Sequence, residues 1–191
     1  AWFRQVRDDI VAAFEAIEDE HGGVAPAGRF EVTPTTRKDG GGGLMSVMRG
    51  GRVFEKIGVN VSEVHGVLGD RAQKAMAARG VPGMDSDPRF WASGVSLVAH
   101  MQNPHAPAVH MNTRMFWTPM AAWFGGGSDL NPCIEYPEDT AFFHDTLRSL
   151  RPCGRIVVLG RPPRDCASVR AAVCSPTGTE MAQPLLTMTN T

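Results

Sequence analysis

Residues 94–117, GVSLVAHMQNPHAPAVHMNTRMFW, place Ser96, His100, His110, Asn112 and Arg114 at even-numbered positions around a proline-containing turn. In an extended chain alternate residues share a face. With the turn centred on His105, His100 faces His110, Val98 faces Asn112 and Ser96 faces Arg114, with opposed Cβ atoms roughly 4.5–5.5 Å apart. The odd face, Val95, Leu97, Ala99, Met101, Val109, Met111, Thr113 and Met115, is almost wholly apolar and belongs on a core. Two histidines at that separation can share a metal, act as acid and base, or hydrogen-bond to each other and to water. Arg114 on the same face adds the planar fork that suits a carboxylate.

A second stretch, WFGGGSDLNP at 123–132, sets three glycines before Asp129. One reading is a turn with an Asx cap. The other is a backbone kept bare so that a flat ligand can approach while the carboxylate meets its polar centre. The run GGGG at 40–43 lacks the Lys-Ser/Thr of a phosphate loop and does not sit in a GxGxxG context, so it reads as a hairpin or flexible loop. His65, before a glycine at a strand end, and His21, at a helix end, read as capping or turn residues.

The elements that must hold these residues follow from period and punctuation. Phe3, Val6, Ile10, Phe14 and Ile17 recur at helical spacing between Trp2 and His21, and Gly22-Gly23 ends that helix. RFEVTP and GLMSVMRGGRVFEKIGVNVSEVHG are β-formers broken by glycine pairs, as in an antiparallel meander. DRAQKAMAARG at 70–80 predicts a short helix, and PEDTAFFHDTLRSL predicts another, with Pro137 in its first turn and early acids favourable to the helix dipole. Strands flanked by helices make the fold class α+β. Residues 152–191 lose sustained periodicity, apart from GRIVVLG as one candidate strand, and read as a divergent tail after a domain spanning 1–151.

Bulk composition narrows the partners. The chain has 191 residues, 42% of them apolar, and 19 Lys plus Arg balance 20 Asp plus Glu without a basic run, which gives no footprint for nucleic acid or an anionic membrane. No stretch reaches the roughly 18 apolar residues of a membrane helix. Cys133, Cys153, Cys166 and Cys174 show neither CxxC nor metal-ligand spacing and read as reduced thiols. These features point to a soluble intracellular domain whose partner is a small molecule or a protein.

Taken together, RKDGGGGLMSVMRGGRVFEKIGVNVSEVHG, the 94–117 hairpin with its NPHAPxxHxNxR pattern, WFGGGSDLNP and EDTAFFHDTLRSL, in that order, resemble the oxygen-dependent coproporphyrinogen III oxidases from about Phe3 to Leu150. The resemblance implies a large antiparallel sheet flanked by helices, a homodimer and a cytoplasmic or mitochondrial place in haem synthesis. It implies conversion of two propionates of coproporphyrinogen III to vinyl groups, with O2 as co-substrate and no flavin, haem or nicotinamide. By the same resemblance, His110 takes the acid/base position and Asp129 the position that meets the pyrrole nitrogens. Ser96, Asn112, Thr113 and Arg114 match substrate-binding positions, and His100, His110 and His144 match ligands of a divalent metal ion in bacterial members. The sequence departs from the family at Phe142-Phe143-His144, where His-x-His is usual, at Cys133-Ile134, where aromatics are common, and throughout 152–191, which implies a sheet incomplete at its C-terminal end. Those departures support a second reading, a tetrapyrrole-binding fragment or pseudo-enzyme without turnover.

Overall fold

The computed structural model describes residues 2–149, 156–158 and 168–171. Its helices are α1 (Trp2–Glu20), α2 (Asp70–Ala77) and α3 (Pro137–Ser149). The strands are β1 (Glu31–Thr36), β2 (Gly41–Arg49), β3 (Phe54–Val67), β4 (Arg89–Met101), β5 (Ala108–Thr118), β6 (Ala121–Asn131), β7 (Ile156–Val158) and β8 (Ser168–Ala171). All pairings are antiparallel, in the spatial order β1-β2-β3-β4-β5-β6-β8-β7. The α+β expectation, a large antiparallel sheet with flanking helices, therefore holds. Of the stretch read as a tail, β7 and β8 are strands, and Cys153, Cys166 and Cys174 lie outside the described residues.

Alternation decides which face meets the core. On β3 the odd residues Ile57, Val59 and Val61 are buried, and on β4 so are Val95, Leu97 and Ala99, while Ser96, Val98 and His100 between them are exposed. The apolar stripe of α1, Phe3 with Val6, Ile10, Val11 and Phe14, packs on that face together with Met48 and Phe54. Full burial of one such side chain is worth about 1.5–3 kcal/mol, so truncating Ile57, which has no exposed surface, would cost about 2–5 kcal/mol.

One carboxylate fixes the far end of α1. Glu18 is fully buried and accepts backbone N–H bonds from Val53 (2.9 Å) and Phe54 (3.0 Å) at Oε1, and from Gly28 (2.8 Å) and Arg52 (2.6 Å) at Oε2. Residue 51 must be glycine, because a Cβ there would overlap the Glu18 carboxylate. Arg52 returns the contact: its guanidinium donates to the carbonyls of Glu18 and His21 at 3.3 Å, where a helix end favours a cation.

A second apolar cluster sits on the other face of the sheet. Phe90, Phe116 and Trp123 stack in a row across β4, β5 and β6, with ring centroids 5.5 and 4.8 Å apart. Leu68, Val81 and Met84 cover them, joined by Ala72 and Met76 of α2. This cluster closes one end of the face that carries the polar residues.

Of the two readings of the GGGG run, the hairpin holds and the flexible loop does not. Gly40 and Gly41, with φ of +105° and +92°, turn the chain, and Gly41–Gly43 open β2 between β1 and β3. Cβ atoms at 42 and 43 would overlap the carbonyls of Thr35 and Val61, so close strand approach explains these glycines without a ligand. His65, expected at a strand end, lies within β3 opposite Trp91.

Candidate active site

The hairpin register differs from the expected one by two residues. Ser96 opposes Asn112, Val98 opposes His110 and Gly94 opposes Arg114. Gln102 N donates to Val53 O at 2.8 Å, which keeps that side of the loop on β3. The tight turn then runs from Asn103 to Ala106, with Asn103 Oδ1 accepting from His105 N at 2.9 Å. The ladder consequently pivots about Pro104 rather than His105. A two-residue shift changes partners but not faces, so Ser96, His100, His110, Asn112 and Arg114 still share the side opposite α1. Thr113 does not join them: it pairs with Val95 and Gly126 on the α1 side.

WFGGGSDLNP is neither a turn nor an Asx cap. It lies in β6, up to Asn131, after a two-residue connection closed by Thr118, whose buried hydroxyl bonds both the N–H and the carbonyl of Ala121. Register then places Gly125 beside Arg114, Gly127 beside Asn112 and Asp129 beside His110. Arg114 is thus flanked by Gly94 on β4 and Gly125 on β6. The glycines separate by role. A Cβ on Gly94 would come 2.5 Å from Thr113 O, and one on Gly126 would overlap Asn112 O, so those two permit close strand packing. Gly125 and Gly127 lie on the polar face and leave its floor bare.

At the end of the face away from the aromatic row, three side chains meet. His110 Nδ1 is 2.7 Å from Asp129 Oδ1, Asn131 Nδ2 is 2.6 Å from the same oxygen, and Asn131 Nδ2 is 3.0 Å from His110 Nδ1. The side chains of His110 and Asp129 are 40% and 35% exposed, open enough to be reached by a ligand. Ser128 Oγ donates to His110 O at 3.1 Å and steadies the strand beneath the ring. His100 stands edge-on to His110, with centroids 6.0 Å apart. Asn112 Oδ1 is buried without a hydrogen-bond donor among the described residues, an acceptor suited to a ligand N–H.

Chemically, a histidine bonded to a carboxylate is a proton-transfer pair, and an arginine on the same face is a carboxylate anchor. Among the described residues no three His, Cys, Asp or Glu side chains converge as a metal site. His110 Nδ1 is engaged by Asp129, and His144, on α3, has a buried Nδ1 with no hydrogen-bond partner among the described residues.

Asn131 is a site residue that the sequence reading passed over. It stands two positions after Asp129, a same-face spacing on a strand, but a stretch read as a turn hides that spacing. A cavity of about 320 Å³ lies on the opposite face, among Trp2, Phe3, Trp91, Met115 and Phe124 beneath the start of α1, and belongs to the packing of that helix.

The family described as Coproporphyrinogen III oxidase matches residues 1–154. An oxygen-dependent coproporphyrinogen-III oxidase from Rickettsia bellii (strain RML369-C) is 46% identical over 151 residues, covering 78% of this chain and 51% of that protein. Proteins of the same name from Rickettsia felis and from Rickettsia rickettsii (strain Sheila Smith) are 44% identical over 150 residues and 40% identical over 153. These matches cover 77% and 78% of this chain and 51% and 52% of the relatives, so the chain spans about half the length of the curated relatives it matches. On the family match and these identities, the chain belongs to the coproporphyrinogen III oxidase family.

Proposed function

We propose that this chain carries the oxygen-dependent decarboxylation of coproporphyrinogen III to protoporphyrinogen IX, a step of haem biosynthesis. The observation that carries the reading is the 2.7 Å His110–Asp129 contact on the face where Arg114 stands between two glycines. For each propionate the balance is R–CH2–CH2–COOH + O2 → R–CH=CH2 + CO2 + H2O2. Arg114 holds a propionate carboxylate, and the bare backbone at Gly125 and Gly127 lets the flat macrocycle settle toward the sheet. Asp129 orients or accepts a pyrrole N–H proton, which makes the ring electron-rich enough to reduce O2 directly. His110 moves a proton as the side chain loses CO2. Ser96 and Asn112 extend the polar floor, the latter with its unpartnered acceptor.

The homodimer rests on the family resemblance alone, the cytoplasmic setting on that resemblance and the composition, and the division into an oxidase-like domain over 1–151 and a tail over 152–191 on the loss of periodicity together with where the resemblance stops. A second reading, tetrapyrrole binding without turnover, is favoured by Phe142-Phe143-His144, which carries one histidine where the family resemblance implies two. Protoporphyrin fluorescence after incubation with coproporphyrinogen, in air and under nitrogen, separates the two. Product that requires air and disappears in Asp129→Ala supports the oxidase. Binding with no oxygen-dependent product overturns it in favour of the second reading.

A further inference from the structure

The triangle of His110 Nδ1, Asp129 Oδ1 and Asn131 Nδ2 constrains where its protons lie. An amide nitrogen only donates, an ionised carboxylate only accepts, and a neutral imidazole nitrogen does one or the other. Turning the Asn131 amide over would set its carbonyl against the Asp129 oxygen at 2.6 Å, acceptor against acceptor, so the Nδ2 orientation follows from the network. With Asp129 ionised, the two shorter contacts are both satisfied when Nδ1 bears the ring proton and donates to Oδ1, which also accepts from Asn131; the 3.0 Å approach of Asn131 Nδ2 to Nδ1 is then two donors side by side on one acceptor. The unprotonated ring nitrogen is then Nε2.

Asp129 alone does not enforce this. Its side chain is 35% exposed and His110 is 40% exposed, so water can substitute for either partner and both side chains can rotate. Asn131 shares its strand and face with Asp129, and its amide ties the carboxylate oxygen to the position that meets Nδ1. We infer that Asn131 is a positioning residue: through Asp129 it locks neutral His110 as the Nδ1–H tautomer and presents Nε2 as the basic nitrogen. The role of that nitrogen in turnover rests on the oxidase reading above, whereas the tautomer does not.

The test is long-range 1H–15N NMR of the full chain with 15N-labelled histidine, without substrate, at a pH where the ring is neutral, the His110 signals being assigned with His110→Gln. The wild type is expected to show a protonated Nδ1 and an unprotonated Nε2. Asn131→Leu keeps the shape but removes the donors, and is expected to lower the Nδ1–H fraction at least about two-fold. Asn131→Ala, which removes the amide donors without adding an acceptor or a charge, is expected to do the same, and it carries the test if the leucine variant does not fold. A folded variant with wild-type His110 shifts overturns the proposal, as does a wild type already in the Nε2–H form. Because no turnover is measured, an inactive wild type would sink the oxidase reading and leave this one standing. If turnover is present, the leucine variant loses kcat about ten-fold with KM unchanged, a split that loss of substrate contact would not give.

Discussion

Glu18 and Asp129 carry the same functional group in opposite settings. Glu18 is sealed from solvent, and its partners are four backbone amides, Gly28 on the link from α1 to β1 and Arg52, Val53 and Phe54 at the turn from β2 into β3. Asp129 is one-third exposed, and its partners are the side chains of His110 and Asn131. A carboxylate held by backbone cannot give up its partners without undoing the fold. One held by an imidazole exchanges a proton with it at little structural cost. The difference shows that the partners, more than the acid itself, divide structural from chemical carboxylates in this molecule.

The sharpest way to break that contrast is to neutralise each acid in turn. Asp129→Asn is expected to lower oxygen-dependent product formation about 10³-fold, or ~4 kcal/mol in the barrier. The urea midpoint should barely move, because half-exposed polar contacts contribute only about 1 kcal/mol. Glu18→Gln should do the reverse. Its amide nitrogen would face backbone N–H donors, leaving buried groups unpaired, at a cost of about 3 kcal/mol in urea unfolding. An asparagine variant that unfolds the chain, or a glutamine variant of wild-type stability, would erase the distinction.

Acid titration sharpens the same comparison. Burial pushes the Glu18 carboxyl up, but the amides of Gly28, Phe54, Val53 and Arg52 together outweigh it and hold the group below its ordinary value of 4.5. Its contribution is therefore complete above about pH 4.5 and is lost as the pH falls through the lower folded value. Wild-type stability should fall more steeply across that acid window than the stability of Glu18→Gln. Parallel curves for the two proteins would show that Glu18 is not the group responsible.

Arg114→Lys tests the chemical side without touching either acid. A lysine keeps the charge but not the two-pronged geometry, so KM for the tetrapyrrole should rise about ten-fold while kcat changes little. An unchanged KM would remove the propionate contact from the proposed site.

How far these residues could be read from sequence depended on whether their signal is periodic. The α1 stripe and the polar face of the 94–117 hairpin follow from spacing alone, and the face survived an error in register because that error was an even number of residues. Register itself was not legible: it depends on where Gln102 bonds to Val53, a backbone contact with no residue signature. The Glu18 clamp was hidden for the same reason, since its donors are amides that any non-proline residue supplies. Asp129 was visible as an acid beside glycines, but its contact with His110 required β6 to be a strand, and three consecutive glycines argue locally for a turn. Asn131 disappeared with that strand.

The glycine run offers the finest test, because its neighbours divide by face. Gly126 points to the α1 side, where a Cβ would overlap the Asn112 carbonyl, so alanine there must push β5 and β6 apart. Gly125 points to the polar face beside Arg114. Alanine at 125 should leave stability within about 0.5 kcal/mol of wild type, and gains a small entropic benefit from the unfolded chain. Its methyl group would nonetheless lift a flat ligand from the floor and raise KM about three-fold, an effect of roughly 0.6 kcal/mol. If Gly125→Ala loses stability and keeps its KM, Gly125 serves strand packing as Gly126 does, and the bare floor beneath the macrocycle shrinks to Gly127 alone.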